Sequence, residues 1–211
     1  MSADVNPGEM YRTARERIGL LVAGPDVDPD QAVPATPGWT VREVVAHVSG
    51  VAHDAVTGNM DGAPGDAWTS AQVERAKGMS IADLLAQWAL DGPILDQVFS
   101  GANGGMMSAG VFDVHTHEAD LRHALGLPMA IPPDFLAWAG PQMEETFYAA
   151  VEAEALPPVQ LPITATDWFR GRLGRRTEAE VRAFAWSADP SPYLEAFFIF
   201  GRAVRPLEEA A

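Results

Sequence analysis

The sequence predicts an all-α protein, a helical bundle with additional helices and a short C-terminal extension. Apolar residues recur at helical spacing over residues 9–23, 40–57, 80–99, 106–125 and 133–155. Helix-start signals stand ahead of several of these stretches, and Gly/Pro clusters separate them.

Met10, Ala14, Ile18, Leu21 and Val22 define the first helix, and Gly24-Pro25 ends it. Four prolines make residues 25–38 an extended connection. Thr40 caps the second helix and Glu43 stands three residues on, a capping box. Val41, Val44, Val45, Val48, Val51, Ala52 and Ala55 form its buried face, with His47 inside that face. Small Ser49 and Gly50 permit close approach by a neighbouring element. Residues 57–67 read as a loop, and a short helix restarts at Trp68 and runs through Ala76.

Ser80 and Asp83 cap the helix to Phe99, in which Gly92-Pro93 is expected to introduce a kink. Gly101-Ala102-Asn103-Gly104-Gly105 lacks the Gly-Lys-Ser/Thr ending of a phosphate loop and reads as a connector. The helix over 106–125 ends on Gly126 and Pro128. Pro132-Pro133 starts a helix to about Ala155, and Pro157-Pro158 ends it. Beyond it, Leu161–Thr164 is extended. Trp168 to Arg176 is a local basic patch, Thr177 and Glu180 cap a short helix to about Ala185, and Ser191 to Phe200 reads as a closing helix. The patch has two readings, pairing with acidic residues of the main body or binding an anionic ligand. Residues 1–156 are expected to form the bundle and 157–211 an extension packed on it.

Composition removes several function classes. The formal net charge is −15, from 14 basic and 29 acidic residues. A nucleic-acid binder needs a basic face, so none is expected. The chain has no cysteine, which excludes disulfides, thiolate metal sites and a cysteine nucleophile. Any metal must be held by His, Asp or Glu, and any thiol must come from outside. No signal peptide and no membrane span is read, and a cytoplasmic location is expected.

Chemistry concentrates on the helix over 106–125. Positions 113, 117, 120 and 124 lie on one stripe, which carries Asp113, His117 and Asp120. Asp113 and His117, four residues apart, are helix neighbours; they form either a surface hydrogen bond or two ligands of one metal. His115 is about 200° around the helix from Asp113 and is a poor co-ligand. His47 is either a hydrogen-bonded core histidine or a third ligand. Bundles build metal sites from facing helices, and two histidines with one carboxylate suit a catalytic zinc or a non-haem iron. Asp120 would orient His117 from outside the ligand set.

Two segments carry a resemblance. Trp39-Thr40-Val41-Arg42-Glu43-Val44-Val45-Ala46-His47-Val48-Ser49-Gly50 and Asp113-x-x-x-His117-Glu118-Ala119-Asp120-Leu121-Arg122-His123-Ala124-Leu125-Gly126 resemble the two metal-ligand motifs of the mycothiol-dependent maleylpyruvate isomerase-like proteins, within the DinB-like metal-binding four-helix bundles. Residues 68–75, 80–88 and 174–190 also resemble segments of that family. The resemblance implies His47, Asp113 and His117 as metal ligands, with glutamate in the reference isomerase at the Asp113 position. It implies a divalent metal, zinc foremost, and mycothiol as thiol cosubstrate. In such an isomerase, thiolate addition to a conjugated double bond permits rotation and elimination returns the trans isomer; in a transferase relative the adduct is the product. The segment after residue 156 is short beside the α/β domain that follows in the reference isomerase. Arg75, Arg170 and Arg175 are the candidates for holding a substrate carboxylate. The expected function is therefore a metal-dependent, mycothiol-using isomerase or thiol transferase acting on a small electrophile. The alternative is a non-catalytic metal-binding protein with a stress-response or regulatory role. Expected partners are a small-molecule substrate and the thiol; a homodimer is the candidate oligomer.

Overall fold

The computed structural model describes residues 6–102 and 109–207. Among them the regular structure is helical, with one isolated bridge between Ala32 and Thr40. The helices are α1 (Pro7–Val22), α2 (Val41–Thr57), α3 (Asp66–Arg75), α4 (Ile81–Ser100), α5 (Ala109–Ala124), α6 (Pro133–Ala153), α7 (Ala165–Arg170), α8 (Glu178–Arg182) and α9 (Leu194–Phe197). A π-type turn covers Gly171–Arg175 and a 3-10 turn Ser191–Tyr193. No helix among the described residues is long and apolar enough to cross a membrane. Residues 106–108 of the helix expected over 106–125, and 103–105 of the expected connector, lie outside the described residues.

The chain divides into two compact units between Met129 and Ala130. The expected division at residue 156 placed the helix Pro133–Ala153 with the bundle, whereas by compactness α6 groups with the residues that follow it.

The first unit is a DinB-like four-helix bundle. α1 packs on α4 and α5, and α2 packs on the same two helices, so the four form a ring in the order α1, α4, α2, α5. α3 packs on α2. Local signals explain the starts. Asn6 accepts from the amides of Gly8 and Glu9 at the head of α1, a cap the hydrophobic pattern alone did not mark. Thr40 and Glu43 close a complete capping box on α2, and Ser80 and Asp83 do so on α4. α4 continues through Pro93 to Ser100. The connection before α2 is less extended than expected. The Val33 amide donates to the Trp39 carbonyl (2.9 Å) and the Trp39 amide to the Thr36 carbonyl (3.0 Å), a tight loop that delivers Trp39 to the start of α2.

Close approach in this unit depends on glycine. A Cβ on Gly8 would stand 2.1 Å from the Asp96 carbonyl oxygen, and one on Gly50 would stand 2.8 Å from the Gln72 Cβ. α1 therefore meets α4, and α2 meets α3, nearly backbone to backbone.

α5 departs most from the amphipathic expectation. Val114 through Leu121 are all buried, polar residues included. Glu118 and His115 are held by specific partners. Glu118 accepts from both Arg17 Nε and Nη2 (2.8 and 2.7 Å) and from Arg122 Nε (3.0 Å). His115 Nδ1 lies 2.8 Å from the Val111 carbonyl. A helix packed on all sides carries no polar face for a periodicity reading to find.

The second unit has an aromatic core. Phe135, Phe147, Trp168, Phe169 and Phe197 are buried, with Phe135 edge-on to Phe169 and Phe147 5.4 Å from Trp168. α7 corrects the reading of 168–176 as a basic patch. Thr164 caps this helix through the Asp167 amide, and Arg170 and Arg172 are buried. Arg172 donates to the carbonyls of Met143, Ala196 and Phe197 and to Thr146. Its burial lowers the guanidinium to about 10, so it stays charged at neutral pH. Neither expected use of the patch describes Arg172, which ties α6 to the α9 carbonyls. Leu161–Thr164, expected to be extended, has no regular structure and turns tightly where the Ile163 amide donates to the Leu161 carbonyl (3.1 Å). The closing helix ends earlier than Phe200, because Phe198 turns extended and the Ile199 amide donates to the Arg172 carbonyl at 2.8 Å. α8 likewise stops at Arg182.

Candidate metal centre

The 3.6-residue repeat sets Asp113 and His117 one turn apart on α5, and the packing of α2 on α5 brings His47 to them. His47 Nε2 and His117 Nε2 each lie 3.4 Å from the same oxygen, Asp113 Oδ1. The two imidazoles meet edge to face with centroids 5.0 Å apart. These three residues are the group among the described residues whose ligand atoms all fall within 4.8 Å of one another. Ligand atoms on one tetrahedral zinc, bound at about 2.0–2.1 Å, stand roughly 3.3–3.4 Å apart. Both nitrogen–oxygen distances match that spacing, and two imidazole nitrogens with one carboxylate oxygen are a donor set zinc accepts.

The electrostatics suit a cation. Burial by itself would raise the Asp113 carboxyl, but His47 and His117 outweigh it and hold the group well below the usual carboxylate range. Burial by itself would lower His117, yet Asp113 and Asp120 draw it above the ordinary histidine value. Without a metal, the cluster keeps its charge balance by holding protons; a cation can take their place.

The surroundings orient both imidazoles. His117 Nδ1 lies 3.2 Å from Asp120 Oδ2, and Asp120 is fully buried. This is where the helix stripe placed Asp120. His47 Nδ1 lies 2.8 Å from Gln72 Oε1 on α3. Gln72 Nε2 in turn donates to Asp54 Oδ2 (2.9 Å), and Asp54 Oδ1 accepts from Arg75 Nη2 (2.6 Å) and Asn59 Nδ2 (2.9 Å). The Trp39 ring lies 5.2 Å from His47 and 6.3 Å from His117, flanking both. The histidine side chains are 7% exposed and Asp113 31%, so solvent reaches the cluster at the carboxylate.

Gln72, although inside the family-like segment 68–75, and Asp54 were not among the expected site residues. A signal exists for each. Asp54 is two turns after His47 on the same face of α2, and Gln72 is a buried polar residue one turn after Trp68. Arg75, expected at a substrate carboxylate, is given to Asp54 on the Gln72 side of His47, away from the Nε2 edge that faces Asp113. A small cavity of about 40 Å³ borders the same side, lined by Ser49, Gly50, Gln72 and Arg75 among others, with room for water only. Arg170 and Arg175 belong to the second unit, where Arg170 is buried and Arg175 Nη1 donates to the Leu173 carbonyl (2.5 Å).

Two histidines and one carboxylate converging from facing helices of a bundle are a set that could hold a metal ion. The family described as the mycothiol maleylpyruvate isomerase N-terminal domain matches residues 11–122, a span that includes His47, Asp113 and His117. The chain belongs to that family. No curated protein and no solved structure matched it.

Proposed function

We propose that the chain holds a divalent metal, zinc, through His47, Asp113 and His117, and uses it with mycothiol to isomerise or S-conjugate a small electrophile. The observation that carries this reading is the shared approach of both Nε2 atoms to Asp113 Oδ1, each at 3.4 Å, a nitrogen–oxygen spacing found between two ligands of one zinc. The family match supports the thiol, and a chain without cysteine must take its thiol from outside. When bound, zinc supplies a Lewis acid that lowers the pKa of a coordinated thiol and so yields a nucleophile at neutral pH.

The protein's own residues have definite tasks in this reading. Asp113 supplies the negative charge that holds the cation. His47 and His117 direct Nε2 inward because Gln72 and Asp120 occupy their Nδ1 edges. Trp39 covers both rings from one flank. The thiol and the electrophile reach the cluster past Asp113, the exposed edge. A cytoplasmic location accords with a reduced small thiol.

The test is turnover of maleylpyruvate by the zinc-loaded protein with mycothiol, beside His117→Ala. Thiol-dependent isomerisation that disappears together with the metal supports the reading. Turnover retained by the metal-free variant overturns it. A second reading is a non-catalytic metal-binding protein with a stress-response or regulatory role. It is favoured by the span of the match, which is to the domain called N-terminal and stops at residue 122. Tight thiol binding by the metalloprotein with no conversion across a panel of electrophiles would select it.

A further inference from the structure

Zinc ligation uses one nitrogen of each imidazole and needs the proton on the other. For His117 the carboxylate of Asp120 stands 3.2 Å from that second nitrogen. For His47 no carboxylate touches Nδ1; a glutamine does, at 2.8 Å. An amide is ambiguous in this role. Turned one way its oxygen accepts the Nδ1 proton, and turned the other way its NH2 would donate to Nδ1 and move the imidazole proton to Nε2.

Asp54 removes the ambiguity. It is 1% exposed, and its carboxylate can only accept. Its Oδ2 takes the Gln72 NH2 at 2.9 Å, which leaves Gln72 Oε1 facing His47. A flipped amide would set oxygen against carboxylate. Arg75 and Asn59 occupy Oδ1, and though burial opposes it, these three donors hold the Asp54 carboxyl below its ordinary range, so it stays an acceptor. Gly50 admits the relay, because a Cβ there would collide with the Gln72 Cβ at 2.8 Å.

We infer that Asp54 and Gln72 are positioning residues for His47: Asp54 fixes the Gln72 amide so that its oxygen holds a proton on Nδ1 and leaves Nε2 for the cluster at Asp113. Arg75 is the outer end of the same relay. The two histidines are then unequal ligands, His117 backed by a full carboxylate charge and His47 by a neutral amide that carries that charge at one remove. This rests on the metal-site reading for its purpose, but the proton position itself does not require a metal.

The test is nitrogen-15 NMR of the full chain, metal-free and zinc-loaded, with zinc affinity measured by competition with a chelator. The variants are Asp54→Asn and Gln72→Met. The wild type should show a slowly exchanging Nδ1–H on His47 in both states. Each variant should lose that protection and bind zinc about 10–100-fold more weakly, with the His117 signals unchanged. Should Gln72→Met not fold, Asp54→Asn, which keeps size and shape, decides the matter. A metal-free wild type with no proton on His47 Nδ1 would overturn the inference, as would variants that bind zinc like the wild type. A wild type that takes up no zinc, yet needs Asp54 for the Nδ1 proton, would leave the relay standing and remove the metal reading.

Discussion

His117 Nε2 lies 3.4 Å from Oδ1 of Asp113, one helical turn earlier on α5, and His47 reaches the same oxygen at the same distance from α2. One carboxylate oxygen thus marks the point where two helices converge, and the consequences can be measured.

The cluster should bind about one divalent ion per chain. Metal analysis of untagged protein should find it in the wild type and not in His47→Ala or His117→Ala. Zinc should raise the wild-type Tm in a concentration-dependent way and leave both variants unmoved, since a ligand that binds only the folded state stabilises it. Folded variants that keep the ion would place the metal elsewhere.

The pH dependence follows from the signs. Asp113 titrates below the ordinary carboxylate value in the folded chain, so its stabilising share is present above about pH 4 and is lost as pH falls through the folded value. His117 titrates above the ordinary histidine value, so its share is present below about pH 6.5 and is lost as pH rises through the folded value. For the metal-free protein the cluster's contribution is therefore largest between roughly pH 4 and 6.5. Zinc binding displaces the histidine protons, so its stabilising increment should grow from about pH 5 to 8. Tm against pH, with and without zinc, reads both trends; an increment that stays flat would contradict histidine ligation.

Gly50→Ala tests the approach of α3 to α2. The added methyl meets the Gln72 Cβ, an atom close to the α3 backbone that cannot rotate away. A loss of about 1–3 kcal/mol is expected in chemical denaturation, together with weaker zinc binding because Gln72 is displaced from His47. Unchanged stability and affinity would mean that α3 is free to shift.

Glu118→Ala separates bundle integrity from the cluster. The carboxylate is 3% exposed and clamps Arg17 of α1 to α5, with Arg122 beside it. Both arginines are partly exposed and can turn to water, so the cost should be about 2 kcal/mol rather than the 3–5 of a fully buried pair. Zinc stoichiometry should remain one per chain. Loss of the metal in a folded Glu118→Ala would show that the clamp also sets the ligand geometry.

The parts of this protein legible in its sequence are those written in short spacings. Thr40 with Glu43 and Ser80 with Asp83 announced α2 and α4, and the four-residue step from Asp113 to His117 announced a pair one turn apart. Asp120 followed from the same repeat. Less legible was anything whose partner is remote. Glu118 and Arg17 are 101 residues apart. Arg172 reads in sequence as part of a basic patch that pairs with acids or binds an anion, because its acceptors are carbonyls, which every residue carries and no sequence advertises. Helix α7 overlaps the start of that patch, its cap Thr164 at the end of a segment read as extended.

The sequence by itself determined the long helices, the inventory of two histidines and one carboxylate, and the family motifs, because capping, period and residue type are local properties of the chain. Only the tertiary structure decided that His47 meets Asp113 and His117, that Gln72 and Asp54 stand behind His47, and that Arg75 serves Asp54. Those relationships come from the packing of α2 against α5 and α3, where a glycine without a side chain and a buried carboxylate with only acceptors select one arrangement of neighbours. Periodicity says which face of a helix a residue occupies; which other face it meets is settled by close packing and by the requirement that every buried polar group find a partner.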